Sequence, residues 1–234
     1  MATGLRTLGA KAAAALDHDL MTACGYSIDQ LMELAGLSVS QAVYRLHPPS
    51  KGRRVLVVCG PGNNGTPPAV MASLPRVTYS SMAMSRPSFT PSRLAKQLEL
   101  LQIPFVDEFE PAMSSTDQIV DAIFGFSFSG EVREPFPNVI RALERSKLPI
   151  TSVDAPSSWD IEKGPPSSGL GSSFMPTALV SLTAPKPLVK YFHGRHFIGG
   201  RFVPPSIASK YEFDLPKYEG IDQIVEVSTA GGKI

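Results

Sequence analysis

The chain has 234 residues, of which 43% are hydrophobic and 18% charged, so it is long enough to bury a sizeable core without disulfide or metal support. Its 22 Lys and Arg residues against 21 Asp and Glu residues leave a net charge of +1, which excludes the strongly basic surface of a general nucleic-acid-binding protein. No apolar run approaches the roughly 20 residues needed to span a bilayer, so we expect no nucleic-acid partner and no membrane partner.

The N-terminal segment and the cysteines bear on location. Residues 1–15 are rich in alanine and carry Arg6 and Lys11 without an acidic residue, which is a weak resemblance to a mitochondrial transit peptide. The two cysteines, Cys24 and Cys59, are typical of a reducing compartment. We therefore expect a cytoplasmic protein, with mitochondrial import as the alternative.

Two helices are predicted before the first strand. Residues 10–21 have high helix propensity, and Ser27 with Gln30 has the spacing of a capping box at the start of a second helix. The apolar residues of this second helix recur at helical spacing: Leu31, Leu34, Ala35 and Val39. Met32 and Glu33 could face a ligand, although an amphipathic helix packed on a sheet explains them more simply.

Four apolar runs that end in glycine or polar residues are predicted to be strands. They occupy residues 55–59, 118–125, 148–158 and 178–186, and helical stretches at residues 93–101 and 137–146 alternate with them. This alternation predicts a single α/β domain over residues 1–234, with three αβα layers and a mostly parallel, Rossmann-like central sheet. The polar ends of all four strands would then line one crevice at the same edge of the sheet.

The first strand is followed by the sequence Gly-Pro-Gly-Asn-Asn-Gly at residues 60–65. In α/β folds, a loop rich in glycine and asparagine after a buried strand brings a ligand against backbone N–H groups. An ordinary tight turn explains the same residues equally well, because Gly and Asn readily adopt positive φ.

Asp121 and Asp154 each close an apolar strand, where a carboxylate is costly to bury unless it is paired. A single such residue would be a helix N-cap, but two at equivalent strand ends favour a shared ligand or cation. Asn64, Asp121 and Ser157 would supply oxygen atoms that suit a hard cation. No histidine lies near a Cys pair and no Gly-x-Ser-x-Gly sequence occurs, so neither a zinc site nor a serine hydrolase is predicted.

Several ordered segments together resemble the signature sequences of the NAD(P)H-hydrate epimerases, the family of YjeF N-terminal domains. The segments are residues 60–65, 120–126, 154–160 and 182–186, followed by residues 199–205, which resemble the end of the same family. The resemblance extends over the whole chain apart from residues 66–92. Several ordered segments are much more specific than any one of them.

The resemblance implies an isomerase that interconverts the R and S forms of NADHX and NADPHX, which are cofactors hydrated at C6 of the nicotinamide ring. It also implies a homodimer that works with a separate dehydratase, which repairs the S form. A potassium ion would be held by Asn64, Asp121 and Ser157. The nucleotide would be bound by Asn63, Asn64, Gly65, Thr66, Pro67, Gly125, Phe126, Ser127, Phe128, Ser129, Gly130, Glu131 and Asp154.

Inversion at C6 requires the hydroxyl group to leave with the help of an acid and water to return on the other face of the ring. The ring nitrogen supplies the electrons, and one well-placed carboxylate can serve in both directions. We expect Asp154 to be this acid and base, with Lys186 as an electrostatic contributor.

Residues 66–92 depart from the family pattern. The family continues its loop with Gly-Asp-Gly and a helix, whereas Thr66, Pro67 and Pro68 follow here, and proline lacks the N–H group that a phosphate needs. The segment shows no clear helix or strand period, so it is predicted to be aberrant, either frame-shifted or disordered. In an offset reading frame, Met71 followed by Ala72 must encode glycine, and permitted codons at residues 69–74 spell Gly-Asp-Gly-Leu-Val. The alternative to an active epimerase is therefore a catalytically impaired nucleotide-binding or protein-interaction module of the same fold.

Overall fold

The computed structural model describes residues 6–60, 77–81 and 93–227. Its strands are β1 (Val55–Cys59), β2 (Val77–Ser81), β3 (Phe105–Val106), β4 (Gln118–Ala122), β5 (Ile150–Val153), β6 (Ala178–Ser181), β7 (Arg195–Ile198) and β8 (Val225–Val227). They form one sheet of 8 strands in the order β3-β2-β1-β4-β5-β6-β7-β8. Strands β1 to β7 run parallel, and β8 pairs with β7 in the antiparallel direction.

The helices lie between the strands along the chain. They are α1 (Ala10–Thr22), α2 (Ile28–Leu46), α3 (Arg93–Leu100), α4 (Phe109–Ser114), α5 (Phe136–Arg145) and α6 (Pro205–Lys210), with a short 3-10 helix at Pro187–Tyr191. The predicted capping box is confirmed, because the Gln30 backbone N–H donates to Ser27 Oγ at 3.2 Å and the Ser27 N–H donates to Gln30 Oε1 at 2.8 Å. None of the described helices is long and apolar enough to cross a membrane.

Alternate residues of the central strands pack on opposite faces of the sheet, where separate hydrophobic clusters cover them. On one face, Val55 and Val57 pack with Val39 and Val43 of α2. On the other face, the β1 and β4 residues Leu56, Val58 and Ile119 pack with the α5 residues Val139 and Leu143. Both faces are therefore buried, as apolar parallel strands require, and the predicted three-layer αβα architecture is confirmed.

The segment predicted to lack regular structure contains a strand. Residues Val77–Ser81 pair in parallel with β1 on one side, and Tyr79 and Ser80 pair with β3 on the other. Val77 is 2% exposed. The sequence Val-Thr-Tyr-Ser-Ser gives a weak strand signal, and pairing with two neighbours overrides that weak local preference. The rest of the segment, at residues 66–76 and 82–92, lies outside the described residues, and the predicted frame slip lies there.

The fourth predicted strand is shorter in the structure than the sequence indicates. Strand β6 ends at Ser181, and Thr183 has a φ of +64°, which turns the chain away from the strand direction. Lys186 then folds back so that its Nζ donates to the Leu182 carbonyl oxygen at 2.8 Å. The turn therefore places the Lys186 side chain over the carboxyl edge of the sheet.

Candidate active site

A cavity of about 570 Å³ lies between the carboxyl edge of the sheet and helices α1 and α2. The sheet side is formed by the loop after β4, by Asp154 after β5 and by the turn after β6. The helix side is mostly apolar. The lining residues on the helix side are Ala13, Ala14, Asp17, Leu20, Met21, Ile28, Leu31, Met32 and Ala35. A largely apolar cleft with a few polar groups at strand ends is typical of a small-molecule site.

Asp154 and Lys186 form a buried ion pair in this cavity. Each side chain is 2% exposed, and Lys186 Nζ donates to Asp154 Oδ1. The backbone N–H of Leu182 donates to the same oxygen at 3.1 Å. Burial of two charges is favourable only when the geometry is good and further hydrogen bonds satisfy them. These contacts supply that geometry, so the two residues predicted to be catalytic lie together.

The backbone at Asp154 is in the left-handed region, with a φ of +67°. This conformation is uncommon for a residue with a side chain, although Asp adopts it more readily than most, and it is enriched at functional sites. The Asp154 N–H donates to the Val180 carbonyl oxygen at 2.8 Å, which anchors the residue to strand β6. The carboxylate is therefore held in a fixed position at the end of β5.

The loop after β4 contributes aromatic side chains to the same cavity. Lys186 Nζ lies 5.7 Å from the centre of the Phe126 ring, which is within the range of a cation–π interaction. The Phe124 and Phe128 rings stack with their centres 4.3 Å apart. Of the predicted nucleotide-binding loop, the residues that line the cavity are Gly125, Phe126, Ser127, Phe128 and Ser129. Gly130 and Glu131 are on the same loop but are not among the lining residues.

Asp121 lies in a second polar cluster, beneath the loop. Its side chain is 0% exposed. Ser152 Oγ donates to Oδ2 at 2.7 Å, the Ser157 N–H donates to Oδ2 at 2.9 Å, and Ser157 Oγ donates to Oδ1. Burial raises the pKa of Asp121, and the hydrogen bonds from Ser157 and Ser152 partly oppose this. The structure thus brings together Asp121 and Ser157, two of the three residues predicted to hold a cation.

The atoms of this cluster suit a potassium ion. Asp121 offers carboxylate oxygens and Ser157 a hydroxyl oxygen, and hard cations prefer oxygen ligands of these kinds. No group of three or more His, Cys, Asp and Glu side chains that could hold a metal ion occurs in the described part of the chain. Oxygen ligands of this kind suit an alkali cation better than a transition metal that prefers imidazole or thiolate ligands.

The Gly60–Gly65 loop begins at the edge of the described region. Gly60 lies so close to the loop after β4 that an added Cβ would be 1.9 Å from the Ile123 carbonyl oxygen, so only glycine fits there. The predicted nucleotide ligands from this part of the chain lie outside the described residues: Asn63, Asn64, Gly65, Thr66 and Pro67. Asn64 is also the third predicted cation ligand.

The cavity contains one carboxyl group that the sequence analysis missed. Asp17 of α1 lines the cavity, and its pKa is raised to about 6, mainly by burial. Lys186 lowers this pKa and Asp154 raises it, so the three groups interact electrostatically. Asp17 lies in an alanine-rich helix, so the sequence gives no signal of which face lines the cavity. On α2, Met32 also lines the cavity, as the alternative interpretation of that helix allowed.

Comparisons with a protein family, with named relatives and with solved structures each found a match. Residues 28–188 match the family described as YjeF-related protein N-terminus. The NAD(P)H-hydrate epimerase of Fusarium vanettenii is 68% identical over 234 residues, covering 98% of this chain and 99% of the relative. That of Neurospora crassa is 65% identical, with coverage of 98% and 99%. The crystal structure of yeast ynu0 superposes with a TM-score of 0.83 at 37% identity, covering 95% of this chain and 100% of that chain.

Proposed function

The chain belongs to the family of YjeF-related N-terminal domains, and we propose that it is an NAD(P)H-hydrate epimerase, an isomerase that interconverts the R and S forms of hydrated NADH and NADPH. The observation that carries the proposal is the buried Asp154 and Lys186 pair in the sheet-edge cavity, in a chain that matches relatives of that name nearly end to end. None of the relatives described above favours a catalytically impaired module.

Asp154 is suited to handle the proton of the C6 hydroxyl group. Both donors that contact this carboxylate in the described part of the chain, Lys186 Nζ and the Leu182 N–H, reach Oδ1. Oδ2 has no donor among the described residues, and Asp154 lines the cavity, so we assign the contact with the substrate hydroxyl group to Oδ2. A general acid or base held in this way contributes about 10²- to 10⁴-fold to a reaction rate.

Lys186 has two effects on the reaction. Its ammonium group compensates the buried charge of Asp154 and fixes the orientation of the carboxylate through Oδ1. It also faces Phe126, so the loop after β4 is held against the pair. Apolar side chains of α1 and α2 line the opposite side of the cavity, and less polar surroundings strengthen these electrostatic interactions.

Asp121 and Ser157, together with Asn64, would hold a potassium ion. When bound, the ion would supply a fixed positive charge that attracts the phosphate groups of the nucleotide. The support for this part of the proposal is the burial of Asp121 among neutral donors, Ser152 and Ser157, with no cationic side chain bonded to it among the described residues.

The assembly and the location of the protein are part of the same proposal. A homodimer and a functional coupling to a dehydratase specific for the S form stay predictions from the family resemblance. A cytoplasmic location, with mitochondrial import as the alternative, also stays a prediction, which fractionation of cells that express the tagged chain would test.

The test of the proposed function is turnover of R-NADHX in potassium buffer, coupled to a dehydratase that consumes only the S form. We expect turnover by this chain and a loss of about 10²- to 10⁴-fold for Asp154→Asn, with nucleotide binding largely retained. Asp160→Asn is the matched control, because Asp160 is exposed and an asparagine Oδ1 can still accept from the Glu162 and Lys163 N–H groups. An Asp154→Asn variant with full activity would contradict the assignment of Asp154.

A second version of the chain, with Gly-Asp-Gly-Leu-Val restored after Gly65, tests whether the altered segment at residues 66–92 reduces the activity. Turnover by both versions would show that the segment as it stands is compatible with activity. Turnover by the restored version alone would assign the defect to residues 66–92. No turnover by either version would contradict the proposed function.

A further inference from the structure

Asp17 enters the cavity from the helix side. Ala13, Asp17 and Met21 are spaced four residues apart on α1 and all three line the cavity. Their neighbours on the helix, Leu16 and Leu20, are fully buried. A carboxyl group therefore lies within the apolar face of α1, a position normally occupied by a hydrophobic side chain.

No structural role accounts for this carboxyl group. In the described part of the chain, no hydrogen bond or ion pair reaches Asp17. Asp19, two residues further on, shows what a structural carboxylate on this helix looks like: it accepts from Lys210 Nζ at 2.5 Å and from Tyr211 Oη at 2.7 Å, which ties α1 to α6. Asp17 is partly buried. Partial burial of a carboxyl group without a bonded partner is costly, and such groups in clefts are concentrated at functional sites.

Asp17 and Asp154 approach the cavity from different sides. Asp17 comes from the helix wall, whereas Asp154 comes from the carboxyl edge of the sheet. They also differ in their charged contacts, because Lys186 bonds to Asp154 but not to Asp17. The raised pKa of Asp17, about 6, allows it to hold a proton near neutral pH. Two carboxyl groups with different environments can divide the acid and base roles of one reaction.

We propose that Asp17 is a second catalytic residue of the epimerase, which transfers protons on the face of the nicotinamide ring opposite to Asp154. The inference rests on the proposed function and assigns a proton-transfer group to each face. Inversion at C6 needs a hydroxyl group to leave from one face and a water molecule to arrive on the other. One carboxylate on one face would have to move its proton around the ring, whereas one on each side does not.

One direction of the reaction starts with the hydroxyl group on the face of Asp17. The Asp17 carboxyl group gives its proton to the C6 hydroxyl, the C6–O bond breaks, and water leaves as the nitrogen lone pair forms a double bond to C6. A water molecule on the face of Asp154 then forms a new bond to C6, its extra proton passes to Asp154, and the electron pair returns to nitrogen. Asp17 is left ionised and Asp154 protonated, which is the arrangement that the reverse reaction needs. Exchange with solvent resets both groups.

The test compares Asp17→Asn with Asp19→Asn, its matched neighbour on the same helix. The measurements are the interconversion of purified R and S forms, the affinity for NADHX, and the exchange of the C6 oxygen with isotopically labelled water. We expect Asp17→Asn to lower the turnover number by about 10²- to 10⁴-fold with nearly unchanged affinity, and Asp19→Asn to keep its turnover. Asp17→Glu should recover part of the loss, because it restores a carboxyl group.

Labelled water distinguishes proton transfer from a structural role. In Asp17→Asn, Asp154 can still release and return the hydroxyl group on its own face, so oxygen exchange of one epimer should exceed inversion. In the unchanged chain Asp17 serves the second face, so the ratio of exchange to inversion should be lower than in Asp17→Asn. Inversion by Asp17→Asn within about threefold of the unchanged chain, or an equal fall of exchange and inversion, would overturn the inference. The proposed function fails separately, if the unchanged and the restored chains both lack activity.

Discussion

The carboxyl groups on the two sides of the cavity differ in their hydrogen-bond and ion-pair partners. At the sheet edge, Asp121 accepts from Ser152 and Ser157, and Asp154 accepts from Lys186 and the Leu182 N–H. On the helix side, no partner among the described residues contacts Asp17. A carboxylate with fixed donors keeps one orientation, whereas one without them is free to turn toward a ligand. The sheet edge thus provides oriented carboxylates, and the helix provides a carboxyl group without a bonded partner among the described residues.

The largest effect is expected from breaking the pair at the sheet edge. Lys186→Met would leave Asp154 buried without a counter-charge, which should lower the free energy of unfolding by about 3–5 kcal/mol. Urea denaturation measures this value. The double variant Asp154→Asn with Lys186→Met should lose clearly less stability than the sum of the two single variants, because it contains no unpaired charge. Additive losses would show that the two residues do not stabilise each other.

Removing the carboxyl group on the helix side should raise the free energy of unfolding, whereas breaking the pair at the sheet edge should lower it. The pKa of Asp17 is raised from 3.8 to about 6 in the folded protein, so ionisation of this group favours the unfolded state. The penalty is absent below 3.8, grows as the pH rises from 3.8 to 6, and stays at about 3 kcal/mol above 6. Asp17→Asn should therefore be more stable than the unchanged chain at about pH 8, and this advantage should vanish at low pH.

Asp19→Asn is the control for this prediction, because its expected change in stability at about pH 8 has the opposite sign. Lys210 and Tyr211 lower the pKa of Asp19, so its ionised form stabilises the fold at neutral pH. The variant should be less stable than the unchanged chain at about pH 8 and equal to it at low pH, as measured by urea denaturation across the pH range. A loss of stability in Asp17→Asn at the higher pH would mean that Asp17 has a structural partner after all.

The two sides also differ in how well the sequence predicts them. Apolar β-branched runs specify β1, β4, β5 and β6, and an acid that directly follows such a run has to lie at the sheet edge, so Asp121 and Asp154 could be predicted. Asp17 lies in an alanine-rich helix whose periodicity does not show which face meets the cavity. Its pKa depends on burial and on electrostatic interactions with Lys186 and Asp154, which are distant in sequence.

The strands that the sequence analysis did not predict are either polar or short. Strand β2 has a polar sequence, and β3, β7 and β8 are at most four residues long. Their conformation is specified by pairing with neighbouring strands, since short segments carry too little local preference to be recognised. Thr183, with its positive φ, lies so close to Gly200 that a Cβ on Gly200 would be 2.7 Å from Thr183 Cα, a long-range contact that the local sequence does not reveal.

The smallest effect is expected at Asp121, where a change from carboxylate to amide keeps the shape and removes one charge. Asp121→Asn should raise the potassium concentration needed for half-maximal epimerisation by about tenfold, which corresponds to about 1.4 kcal/mol. The measurement is turnover against potassium concentration, with choline keeping the ionic strength constant, and saturating potassium should restore most of the activity. Because the Ser157 N–H can still donate to an asparagine oxygen, the loop after β5 should stay in place. The same potassium dependence in both chains would mean that the Asp121 charge serves only the local hydrogen-bond cluster and does not bind the ion.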